Sequence, residues 1–231
     1  SNVNNLDLNN DGQTDYIKVI DKQEDNIHIL ILQVPVTENE NQDIATIEIE
    51  KTGENNAVLQ IVGDEDIFGE EMIIEPAEDG DISFFYTSPD ADSGPAATLE
   101  DLVDARVVVN VWAWPGVRFM YAPGYRLWVS PWRWHVHPGW YRPWRPHPWH
   151  VWHPHRFHHR NRYAVVHTHR VVRARGIYRP MRVTSVSVHR RHNASVKNYR
   201  VTRKTTTVRG RHNGHPVKVK KTTTTVRRRR G

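Results

Sequence analysis

The chain has no cysteine, no acidic residue after Asp104 and no long apolar run. The first absence excludes disulfides, thiolate zinc sites and cysteine nucleophiles together, while leaving the compartment open. The third excludes a membrane helix, which needs ~18 consecutive apolar residues. Hydrophobic residues make up only 38% of the 231, below the usual share of a globular domain. No phosphate-binding glycine loop, nucleophile elbow or convincing acid/base pair stands out, so the expectation is a protein that is not an enzyme. No signal peptide is visible. Opening on Ser1 rather than Met is expected of a processed mature form or of a short cloning remnant.

Charge divides the chain in two. Residues 1–105 hold all 26 acids and only Lys18, Lys22 and Lys51, a net of −23; residues 106–231 hold the other 29 Lys and Arg and no acid. Three regions are expected on this basis: an acidic β-rich domain over 1–105, a Trp-, Pro-, His- and Arg-rich segment over 106–160, and a basic, Thr-rich tail over 161–231.

The most specific motif is Asp7-Leu8-Asn9-Asn10-Asp11-Gly12-Gln13-Thr14-Asp15. Oxygen-bearing side chains recur at every second position, and Gly12 supplies the sharp turn that folds them around one ion. Calcium, a hard cation, takes six to eight such oxygens. An EF-hand would require Glu at loop position twelve, where this chain has Lys18. The nine-residue form followed by Tyr16-Ile17-Lys18-Val19-Ile20 resembles the calcium loops of integrin-type (FG-GAP) repeats. That resemblance implies Ca²⁺ held by Asp7, Asn9, Asp11, Asp15 and the backbone of Gln13. The motif occurs once, so no β-propeller follows. The plainer reading is an Asn/Asp/Gly turn ahead of a strand.

Period-two alternation then predicts strands at Tyr16–Asp21, Ile27–Val36, Ile44–Lys51, Ala57–Val62 and Met72–Glu75. The expected result is a small antiparallel sheet with a solvated face of carboxylates, including those of Asp64-Glu65-Asp66, Glu70-Glu71 and Glu78-Asp79. The Pro-, Gly- and Ala-rich run over 88–98 reads as a linker.

All nine tryptophans lie between Trp112 and Trp152, with eight of the fourteen prolines nearby. Pro115-Gly116, Pro123-Gly124 and Pro131 suggest tight turns joining three short strands, a β-meander with helix excluded by the prolines. Beyond Trp132 the prolines suggest extended, polyproline-like chain. The tryptophans pack as a local core, form an aromatic platform interleaved with cations, or do both. The platform reading gives a polyanion site of Arg118, Arg126, Trp132, Arg133, Trp134, Trp140, Arg142, Trp144, Arg145, Trp149 and Arg156. Fourteen of fifteen histidines also follow Arg106. His135-x-His137 and His167-x-His169 would each project two imidazoles to one face of a strand, which suits Zn²⁺, Ni²⁺ or Cu²⁺, although no carboxylate lies nearby in sequence.

In the tail, Val165–Arg173 and Met181–His189 alternate like strands. Asn193-Ala194-Ser195 matches a glycosylation sequon, and two Lys/Arg/Thr repeats flank Asn213-Gly214, a hairpin signal. Such a ribbon is marginal alone, so disorder or ordering on a partner is expected. The fold class is therefore mainly β: a small antiparallel β-domain, then a β-meander, then an extended or partly disordered basic tail.

Asn110-Val111-Trp112-Ala113-Trp114-Pro115, Tyr121-Ala122-Pro123-Gly124-Tyr125 and Ser130-Pro131-Trp132-Arg133-Trp134 resemble segments of uncharacterised secreted or envelope proteins of Gram-negative bacteria. That resemblance implies a periplasmic, outer-membrane-associated or secreted location and no particular activity. The composition favours a non-enzymatic binding or structural protein for polyanions (lipopolysaccharide, anionic lipid, acidic polysaccharide or extracellular nucleic acid). Its own acidic half, or another copy, is a further expected partner. The alternatives are a nucleic-acid-binding protein proper and histidine-based metal sequestration.

Overall fold

The computed structural model describes residues 4–68, 71–77, 108–147 and 163–191, and the backbone of 201–212 and 215–226. Six strands form one sheet in chain order: β1 (Lys18–Glu24), β2 (Ile27–Pro35), β3 (Asn41–Gly53), β4 (Asn56–Gly63), β5 (Met72–Pro76) and β6 (Tyr163–Val166). Every neighbouring pair is antiparallel. The alternating apolar residues of the acidic half therefore do form strands, close to the expected bounds. Asp25, at a φ of 51°, and Asn26 turn β1 into β2. Glu54-Asn55 turn β3 into β4. Asx side chains tolerate such turns because they bond their own backbone. A single helical turn, α1 (Glu65–Phe68), precedes β5.

Register fixes the two faces. Ile27, Ile29 and Ile31 stand beside Glu50, Glu48 and Thr46 on β3, and Val58, Gln60 and Val62 continue that face on β4. His28, Leu30, Ile47, Ile49, Ala57 and Leu59 occupy the other. Both are covered, so the solvated acidic face does not exist as expected. Segment 168–191 lies on the first face, with Val171 and Ala174 packed on Ile27, Ile29 and Ile31. Segment 108–125 lies on the second, with Val111, Val117 and Met120 packed on Ile49, Ala57 and Leu59. Each fully buried aliphatic side chain contributes roughly 1.5–3 kcal/mol.

The strand expectations outside the acidic half are corrected. Val111–Ala113 is a 3₁₀ turn and Pro115–Met120 is a short helix, α2. Pro115 opens the helix at N1, where its missing N–H costs nothing, so Pro115-Gly116 marks a helix start and not a turn. Pro123-Gly124, by contrast, forms the expected tight turn, with Gly124 at a φ of 85° and the Tyr125 amide donating to the Ala122 carbonyl. The strand reading of Val165–Arg173 holds only as far as Val166. The chain then forms α3 (Val172–Tyr178), a 3₁₀ turn (Arg179–Met181) and a helical segment over 186–191 in place of the expected strand Met181–His189. Its apolar residues Val171, Ala174, Tyr178 and Met181 recur at helical spacing and pack on the sheet. Chain 125–130 is extended and lies along β1, with Ile20 and Val129 in a bridge; it does not form a meander.

The boundary expected near residue 160 does not separate two packing units. β6 is the sixth strand of the acidic half's sheet, pairing Ile73 with Val166 and Ile74 with Val165. Farther on, β7 (Val201–His212) and β8 (His215–Val226) pair antiparallel, with His212 opposite His215 across the Asn-Gly position. The linker over 88–98, Glu70, Glu78-Asp79, the histidines between His150 and His159, and the Asn193 sequon lie outside the described residues.

Candidate functional site

The loop Asp7–Asp15 is shaped by its own Asx side chains. The Asp11 amide donates to Asp7 Oδ1 (3.1 Å) and Asn9 Oδ1 (2.9 Å), the Gly12 amide to Asp7 Oδ2 (3.0 Å), and the Gln13 amide to Asp11 Oδ1 (2.8 Å). Asn10 and Gly12 take positive φ, 60° and 81°, a conformation in which glycine carries no Cβ penalty. Asp15 is buried and accepts the Leu8 amide at 2.6 Å. Burial pushes its carboxyl up to about 7; the Leu8 amide opposes the rise and the charges of Asp7 and Asp11 add to it. The donor chemistry fits a hard cation, with three carboxylates, one amide oxygen and one carbonyl in a nine-residue turn. Each carboxylate oxygen that accepts one N–H keeps a second lone pair.

A second segment meets this loop. Thr14 donates its amide to the Trp144 carbonyl (2.8 Å), and its hydroxyl oxygen accepts the Trp144 amide (3.2 Å). The Tyr141 hydroxyl donates to the Thr14 carbonyl at 2.7 Å. Asn5 exchanges two hydrogen bonds with the backbone of His147. Arg191 closes the far side through the Leu8 carbonyl, 2.7 Å away. The loop is thus held by residues 127 or more positions later, a link no local motif announces.

Between loop and arm lies a recess of about 80 Å³. Asn9, Asp11, Gln13 and Asp15 line one wall; Arg133, Trp134, His135 and His137 line the other. Arg133, Trp134 and His135 sit on a two-residue turn closed by reciprocal bonds between Arg133 and Val136, and His137 directly follows it. His135 holds a φ of 55° there, strained for a residue with a Cβ, and its ring stacks 4.0 Å from that of Trp134. His137 packs edge-on against Tyr16. The two histidines therefore lie on a turn and not on a strand face, and carboxylates do lie near them in space.

His169 is placed elsewhere. Its Nε2 lies 2.6 Å from Glu48 Oε2 beneath the first face of the sheet, while His167 follows β6. Among the described residues no group of three or more His, Cys, Asp or Glu side chains is set to hold an ion, the carboxylates of the Asp7–Asp15 loop being bonded to its own amides.

Of the seven described tryptophans none is fully buried. Trp112, Trp132 and Trp144 are half-buried; Trp114, Trp128, Trp134 and Trp140 are exposed, Trp140 to 76%. Among the described tryptophans Trp112 packs on the largely aliphatic cluster against the sheet, and the others do not join a buried cluster. Arg118, Arg126, Arg133, Arg142 and Arg145 are all exposed, and no carboxylate among the described residues pairs with any of them. Arg142 bonds only the carbonyls of Gly139 and Tyr141. Trp149 and Arg156 lie outside the described residues.

Four arginines of 168–191 behave differently. Arg170 pairs with Glu75 (2.7 Å), Arg173 with Asp25 (2.8 Å), Arg175 with Glu71 (2.7 Å), and Arg182 with Asp64 and Asp66. Hydrogen bonding to Asp64 raises the Arg182 pKa further. Tyr178 donates to Asp43 (3.0 Å), and burial followed by the Asp43 charge pushes that phenol up. These carboxylates were expected to be solvated; they are the docking sites of the basic segment. No known protein family, curated protein or solved structure matches this chain.

Proposed function

We propose that this protein is a non-enzymatic binding protein of the cell envelope or its exterior, in which a calcium loop braces a Trp-, Arg- and His-rich arm that holds polyanions. One observation carries the reading: five arginines of the arm stand apart from the arginines that pair with carboxylates of the sheet. Arg170 and Arg182 are bound to the buried carboxylates of Glu75 and Asp64, and Arg173 and Arg175 pair with Asp25 and Glu71 nearer the surface. Arg118, Arg126, Arg133, Arg142 and Arg145 stand exposed among exposed tryptophans with no carboxylate partner among the described residues. Guanidinium donors match phosphate, sulfate and carboxylate geometry, and flanking aromatic faces add adhesion when screening weakens the charge.

Calcium enters through Asp7, Asn9, Asp11, Asp15 and the Gln13 carbonyl. An ion there would offset the crowding of three carboxylates in the wall that faces Arg133, Trp134 and His137. Location in the envelope follows from the resemblance of the aromatic segments and from the polyanions available there.

The test is a binding panel with the full chain. Heparin, lipopolysaccharide and duplex DNA are titrated with calcium and with chelator. The reading expects all three to bind at low salt, with little preference among DNA sequences. Strong selection of one DNA sequence favours the nucleic-acid alternative. Failure of every polyanion at low salt overturns the reading.

A further inference from the structure

We infer that the ridge of Phe119, Leu127, Trp128 and Val129, flanked by Arg118 and Arg126, docks on an anionic lipid bilayer. This rests on the polyanion reading and narrows it to one partner.

The ridge is fixed by its backbone. Helix α2 buries Val117 and Met120 and so turns Arg118 and Phe119 outward. The Phe119 ring stands edge-on to Tyr125, 5.4 Å between centroids. Tyr125 in turn donates its hydroxyl to Asp21 at 2.5 Å. The following extended chain is bonded to the sheet edge: Asp21 N–H donates to the Trp128 carbonyl (2.7 Å), and Ser130 N–H donates to that of Val19 (2.9 Å). Asp21 itself is buried, so the neighbourhood presents no acid from this position to an approaching anion.

From this support the side chains project into solvent. Phe119 is 65% exposed, Leu127 48%, Trp128 56% and Val129 57%. An ordinary edge strand buries alternate residues; here three consecutive apolar residues all face water. Scattered exposed apolar residues need no explanation, but three consecutive ones beside Arg126, with Arg118 and Phe119 exposed on the preceding helix, mark a contact surface.

The chemistry selects among polyanions. Leu127 and Val129 have neither a hydrogen-bonding group nor a flat ring. They add nothing to contact with phosphate oxygens, sugar hydroxyls or stacked bases. Acyl chains are the anionic-surface component they match. Trp128 suits the boundary between headgroup and acyl chain, and Arg118 and Arg126 suit lipid phosphates. A fixed, protruding ridge also fits a broad surface that receives it from outside.

The experiment uses the full chain with phosphatidylcholine vesicles, either pure or containing one-quarter phosphatidylglycerol, some with brominated acyl chains. Heparin serves as an acyl-free polyanion. The expected result is sedimentation with the anionic vesicles only, and quenching of tryptophan fluorescence by the bromines. Leu127→Ser with Val129→Ser leaves every charge and every tryptophan in place. That double variant should bind anionic vesicles about tenfold more weakly or worse, a loss of at least ~1.4 kcal/mol, with heparin binding unchanged. If it weakens both equally, the ridge is a general polyanion contact and the inference is overturned. Heparin binding without vesicle binding overturns it and leaves the polyanion reading standing. Failure of heparin and vesicles alike removes both.

Discussion

Arg182 grips Asp64 at two points, Nε to Oδ2 at 2.6 Å and Nη2 to Oδ1 at 2.9 Å, across 118 residues of sequence. Asp64 is almost completely buried beneath it. The contact joins the acidic strands to the basic segment and holds that segment on the sheet. Arg182→Ala should cost about 3 kcal/mol, because it leaves a buried carboxylate without its partner. Denaturant unfolding of the full chain checks this, and Arg182→Lys should recover only part of the loss, since it cannot bond at two points.

Asp15 makes stability depend on pH. Its folded pKa, about 7, lies above the usual aspartate value of 3.8. The folded state therefore holds the proton more tightly than the unfolded chain, and the stability linked to it is fully present below the unfolded value. It is lost as pH rises from about 4 toward 7. With chelator present, the melting temperature of the wild type should fall across that window by more than that of Asp15→Asn, the difference corresponding to a few kcal/mol at most. Identical pH profiles would contradict the burial of Asp15.

Tyr141 and Thr14 couple the arm to the loop. Tyr141→Phe removes the hydrogen bond to the Thr14 carbonyl, a loss of roughly 1 kcal/mol. It should also lower calcium affinity although Tyr141 supplies no ligand to the ion. Calorimetric titration of the variant, compared with wild type, measures that coupling.

Calcium should raise the melting temperature of the full chain more than magnesium does. The larger ion accepts more oxygens in looser geometry, and ligand linkage adds its binding free energy to the folded state. Asp11→Ala should abolish the shift. Absence of any shift at about a thousand times a micromolar Kd, where linkage predicts ~4 kcal/mol, would leave the loop as a plain turn.

Much of the sheet was legible because alternation is a local property. Ile27–Pro35 and Asn56–Gly63 emerge within one or two residues of where period two places them, and Asx-rich breaks mark their turns. The cover on the sheet was not legible in the same way. Met181–His189 alternates, yet the chain there bends and turns helical because Ser185 and Ser187 bond Glu40 and Val188 drops into the apolar cluster around Leu8. Helical spacing of Val171, Ala174, Tyr178 and Met181 was present in the sequence and outweighed by the β-branched residues around it. The loop Asp7–Asp15 could be recognised from its spacing. Its union with Trp134 and His137 could not, because only the fold brings positions so far apart into one recess.

If the exposed arginines over 118–145 hold polyanions, they set the salt dependence of duplex DNA binding by the full chain. Each phosphate contact contributes about 0.9 to the slope of log affinity against log salt. Replacing Arg118, Arg126, Arg133, Arg142 and Arg145 together with Gln should leave folding intact and reduce that slope by roughly 3–5. An unchanged slope in a folded five-site variant would show that the arm does not hold polyanions.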